Sequence, residues 1–86
     1  MTILDINNIT RKENFIYYRR EFTGNALYDL PGKTFSGQIE FVIETNPLGK
    51  KEIFVKLIDK VDYPLLQVIS NLKEFILGLD YDGKLP

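Results

Sequence analysis

Apolar and polar positions alternate most cleanly between Gln38 and Glu44, where Ile39, Phe41 and Ile43 fall on one side and Gln38, Glu40, Val42 and Glu44 on the other. A period of two with one apolar side predicts a strand half buried in an antiparallel sheet. The pattern resumes at Ile53, Val55 and Leu57, set against Glu52, Phe54, Lys56 and Ile58. Between the two runs lies Asn46-Pro47-Leu48-Gly49. Asparagine suits the first position of a turn, proline fixes φ at the second, and glycine takes the left-handed conformation that a following bulge requires. The two runs are therefore predicted to form a hairpin.

Upstream, the stretch FIYYRREF also alternates, with Ile16, Tyr18, Arg20 and Phe22 opposed to Phe15, Tyr17, Arg19 and Glu21. The first set is the better candidate for burial, because three of its four members carry no charge. Gly24 and Asn25 then supply turn chemistry, Ala26 to Leu30 reads as a short strand, and Pro31-Gly32 closes it. Residues 1–13 are expected to be an arm, either draped over the core or loosely packed.

After Asp59 the period lengthens. Leu65, Val68, Ile69, Leu72, Phe75, Ile76 and Leu79 fall within about 120° of a helical wheel, which predicts one helix with one buried face. Asp62 is the expected N-cap, Pro64 fits the first turn, and Gly83 and Pro86 do not continue a helix. Leu66 and Leu77 lie to one side of the arc, beyond Lys73, and form an apolar shoulder. Ile3, Leu4, Ile6 and Ile9 of the arm are expected to cover it; a subunit contact is the other use for such a patch.

These elements make a single small α+β domain over residues 1–86: a four-stranded antiparallel meander sheet with one C-terminal amphipathic helix packed on one face. The predicted core is Ile16, Tyr18, Phe22, Ile39, Phe41, Ile43, Ile53, Val55 and Leu57 with the seven residues of the helical arc. In outline, four strands and then a helix resembles single-strand-binding modules such as the Pur repeat. That resemblance is one of element order, carried by no residue motif.

Composition narrows the chemistry. The 86 residues include no cysteine and no histidine, which removes disulfides, thiolate nucleophiles, the usual zinc sites and imidazole acid–base catalysis. No glycine spacing matches a nucleotide-binding fingerprint. Asp80 and Asp82 precede Gly83, but a calcium loop needs a third ligand before its glycine and a glutamate further on. Glu40 and Glu44 on one strand lie about 13 Å apart, beyond glycosidase spacing, and are expected to pair with Arg19 or Lys56 across strands. No catalytic residue, metal ligand or cofactor is therefore expected, and the chain reads as non-enzymatic. Neither a basic leader nor a run of about twenty apolar residues is present, so no membrane association and a cytoplasmic location are expected.

With the helix on one face, the other should present Tyr17, Arg19, Glu40, Val42, Glu44, Phe54 and Lys56. Lys plus Arg number 11 and Asp plus Glu 12, so no general field draws a polyanion. Mixed apolar and polar surfaces rich in tyrosine, phenylalanine and arginine suit protein contact. The expectation is a protein-interaction module, homodimeric or bound to another protein, using the open sheet face or the helix shoulder. Its candidate residues are Tyr17, Arg19, Phe54, Lys56, Leu66 and Leu77. The alternative is single-stranded nucleic-acid binding through Tyr17, Arg19, Arg20, Phe54 and Lys56, against which the carboxylates on that face repel phosphate.

Overall fold

A computed structural model describes residues 1–86. Its elements are β1 (Thr2–Lys12), β2 (Arg19–Leu30), β3 (Lys33–Thr45), β4 (Lys51–Leu57) and α1 (Leu65–Tyr81). The strands form one antiparallel sheet in the order β1-β2-β3-β4. The α+β meander with a C-terminal helix on one face is thus the architecture of the chain. Val68, Leu72 and Ile76 of α1 bury against Phe22, Ala26, Tyr28, Ile39, Phe41 and Ile43 of the two central strands. Phe22 and Phe41 face each other in register and stack at 4.9 Å between ring centres.

The β3–β4 hairpin forms as its turn chemistry dictates. Gly49 N–H donates to the Asn46 carbonyl at 2.9 Å, and the Asn46 side-chain oxygen accepts from the amides of Leu48 and Lys50 at 3.0 and 2.9 Å. Gly49 takes φ +82°, a conformation that costs little only without a Cβ. At the far end of the chain, Lys84 N–H reaches the Leu79 carbonyl at 2.9 Å and Gly83 N–H the Asp80 carbonyl at 3.1 Å, with Gly83 at φ +68°. This paired closure satisfies carbonyls that the ending helix would leave open.

Four expectations require correction. Residues 1–13 are not an arm: Thr2 to Lys12 form β1 and pair with β2, burying Ile3 and Ile6. That strand does not cover the shoulder of α1, where Leu66 stays 85% exposed. Phe15 to Tyr18 are a connector and not strand, and β2 begins at Arg19; Ile16 and Tyr18 are 42% and 50% exposed and lie outside the core. Gly24 and Asn25 do not turn the chain, because β2 runs straight through them to Leu30. Gly24 is there for close approach: a Cβ would meet Ile6 Cγ2 at 3.2 Å and the Asn7 carbonyl oxygen at 3.3 Å. Finally, α1 begins after Pro64 with no side-chain cap, so Asp62 does not serve as one, and Leu65 is exposed.

The two edges of the sheet differ. β1 carries two register shifts, between Ile3 and Asp5 and between Asn7 and Thr10, and Asn8 within the second sits at φ 51°. Such bulges twist and interrupt an edge, which discourages further pairing. β4 pairs with β3 over seven consecutive residues with no shift. Its outer edge is regular.

Candidate interaction surface

On the face away from α1, alternation and register set out rows of side chains across the strands. One row is Arg19, Glu44 and Glu52, the next Glu21, Val42 and Phe54, the next Thr23, Glu40 and Lys56. Arg19 Nη1 bonds Glu44 Oε2, its Nη2 lies 3.5 Å from Glu21 Oε1, and Lys12 Nζ lies 3.4 Å from Glu40 Oε2. The hydrogen bond to Glu44 raises the Arg19 pKa above its ordinary value despite partial desolvation. The expected pairing of Glu44 with Arg19 is therefore present, while Glu40 takes Lys12 and not Lys56 as its ion-pair partner. Exposed pairs of this kind add little stability, yet they set the local charge: each carboxylate occupies the cation that a phosphate would use.

Arg20 points to the other face. Its guanidinium binds Asp80 of α1 through two bonds of 2.9 and 3.1 Å, and Lys51 Nζ reaches the same carboxylate at 2.5 Å. The hydrogen bonds from Arg20 lower the Asp80 pKa, opposed by burial and reinforced by Lys51. An aspartate in the last turn of a helix faces the negative end of the helix dipole, and α1 has no basic residue there. Two sheet cations offset both. Asp80 was legible only as half of a poor calcium pattern; its position in the final turn was the signal that cations must approach from elsewhere.

Tyr17 sits in the connector before β2, almost wholly exposed, with its ring at right angles to that of Tyr18. Together with Glu44, Thr45, Asn46, Pro47 and Glu52 these two tyrosines line an open cleft of about 600 Å³ at one end of the sheet. Phe54 and Lys56 project from β4 on the open face, with Phe54 48% exposed. Leu77 lies across the edge of β4 from Phe54, and the two line a shallow groove of about 440 Å³ with Lys51, Glu52 and Ile53. Leu66 stands on the same flank of α1, about three turns earlier. Of the six predicted interaction residues, Phe54, Lys56 and Leu77 thus converge on the β4 margin. Arg19 and Tyr17 lie towards its Glu52 end, and Leu66 is detached. No side chains gather as a set of three or more potential metal ligands, and no helix is long and apolar enough to cross a membrane.

Sequence reasoning missed that β4 is an edge, because strand order follows from the pairing of β1, whose pattern did not read as a strand. No curated protein and no solved structure matches the chain. The model of the BB_0187 family matches residues 1–81, and the chain belongs to that family.

Proposed function

We propose that the chain is a non-catalytic protein-interaction module that associates with itself, with the cytoplasm as its setting. One observation carries the reading: the cations of the open face are held by neighbouring carboxylates, while Phe54 and Leu77 stand uncovered on either side of the regular β4 edge. A surface of that composition gains by desolvating apolar side chains against a protein and gains little from a polyanion. Catalysis has little footing, since the one well-placed carboxylate, Asp80, is held by Arg20 and Lys51.

The test is a light-scattering measurement across a dilution series, run beside a labelled single-stranded oligonucleotide at low salt. A dimer at the higher concentrations and no oligonucleotide binding are expected. A monomer throughout would sink the proposal. If the oligonucleotide bound, weakened steeply with salt and was released by Tyr17→Ala, the nucleic-acid reading through Tyr17, Arg19, Arg20, Phe54 and Lys56 would replace it.

A further inference from the structure

We infer that the partner is a second copy of this chain paired antiparallel along β4, with Phe54 on the twofold axis, so that two four-stranded sheets join into one of eight strands. The inference rests on the self-association reading and specifies where and in what register it happens.

The first step concerns which backbone groups are available. Ile58 N–H donates to the Gln38 carbonyl at 3.0 Å and the Lys50 carbonyl accepts from Asn46 N–H at 2.8 Å, so the even-numbered residues of this strand direct their hydrogen-bonding groups towards β3. Alternation then turns the amides and carbonyls of Lys51, Ile53, Val55 and Leu57 outward along the edge. A partner strand must pair odd residues with odd ones.

The second step concerns which register the side chains accept. With Phe54 opposite Phe54 of the second copy, Ile53 meets Val55, Lys51 meets Leu57, and Glu52 meets Lys56 twice, once on each side of the axis. Moving the axis to Ile53 sets Lys50 against Lys56, and moving it to Val55 sets Glu52 against Ile58. Centring on Glu52 or Lys56 opposes like charges on the axis itself. Opposite charges directly across a strand pair attract and like charges repel, so the Phe54 register is the one the charges select. It also places the two Phe54 rings together and turns the Leu77 groove of each copy towards the axis.

The third step is closure. An isologous contact of this kind uses the same edge of both copies and leaves only β1 at either end of the joined sheet. The bulges of β1 discourage further addition, so the assembly stops at two. Lys51, which by itself would blunt the β4 edge, is already held by Asp80.

The test uses Glu52→Lys and Lys56→Glu. Each variant alone opposes like charges at both sites and is expected to raise the dimer dissociation constant about tenfold. An equimolar mixture, in which every opposed pair is again Glu with Lys, should recover the dimer. Because the chain contains no cysteine, Phe54→Cys supplies an independent reading. Its Cα would lie about 4.5 Å from its symmetry mate in a non-hydrogen-bonded pair, within the span of a disulfide. In Lys56→Cys the two thiols would stand about 13 Å apart along the strands. Phe54→Cys should oxidise to a covalent dimer readily and Lys56→Cys should not, with circular dichroism confirming that all variants fold. If the native chain is a dimer but the charge variants are too, and Phe54→Cys cross-links no faster than Lys56→Cys, the β4 pairing is wrong while self-association stands. A native monomer removes both.

Discussion

Tyr28 lies wholly inside the core, yet its hydroxyl has no hydrogen-bond partner. Burial, with the negative charge of Asp59 adding, raises its pKa from 10.0 to about 12. A raised folded value means that stability is intact below the unfolded pKa near 10 and falls as pH rises towards 12, since the unfolded chain ionises first. Tyr28→Phe removes an unsatisfied polar atom and keeps the ring stacked on Phe35. It should stabilise the domain by about 1 kcal/mol in urea and flatten the alkaline limb of stability against pH. Asp80 works in the opposite direction. Its lowered pKa gives stability that is present above the unfolded carboxyl value and lost as pH falls through the lower folded one, below about pH 4. Asp80→Asn strands Arg20 and Lys51, whose side chains remain 26% and 40% exposed, so water softens the loss to about 1–2 kcal/mol. Acid titration of the variant by circular dichroism should lack that low-pH component.

Among the elements, the β3–β4 hairpin and α1 were legible because each satisfies one period without interruption and ends on a residue whose chemistry requires an end. β1 was not, for a local reason. Its two bulges shift the apolar residues to Ile3, Ile6 and Ile9, a spacing of three that matches neither a strand nor a long enough helix. β2 was divided in two because Gly24-Asn25 carries turn chemistry, whereas here glycine is required by the approach of Ile6 and the Asn7 backbone. The connector Phe15 to Tyr18 alternates like a strand and buries nothing, so the side chains that drew most notice in the sequence contribute least to the core. Of the candidate surface, the residues of β4 were identified and their place at an edge was not. These differences separate sharply by mutation. Ile6→Ala should cost about 2–4 kcal/mol and Leu72→Ala a similar amount, as deletions from a closed core. Ile16→Ala should fall within about 0.5 kcal/mol of the native chain. Urea midpoints for the three variants check the assignment, and an Ile16 effect as large as that of Ile6 would restore the first strand to the connector.

For the whole molecule, shape and size bear on whether the domain stands alone. The radius of gyration is 13.0 Å and the principal extents are 42 × 23 × 22 Å, against about 12 Å expected for a compact chain of this length. The elongation comes from β2 and β3, of 12 and 13 residues, which outrun the 7 residues of β4. A small, elongated domain buries a modest share of its surface, and one helix over one sheet leaves the other face wet. Pairing through β4 would bring Phe54, the Leu77 groove and a row of backbone groups out of water, so folding and association become linked. Linkage has a direct signature: when the native state binds a second copy and the unfolded chain does not, the melting temperature rises with protein concentration. In the linked regime, a tenfold increase in concentration favours the folded dimer by about 1.4 kcal/mol per mole of dimer. The native chain should therefore melt several degrees higher at high than at low micromolar concentration. Lys56→Glu, which opposes like charges at the proposed seam, should melt at nearly the same temperature throughout, and the equimolar mixture with Glu52→Lys should recover the dependence. A native melting temperature that does not move with concentration would mean that the single sheet and helix carry their stability alone, and the regular edge of β4 would then have to be explained without a second copy.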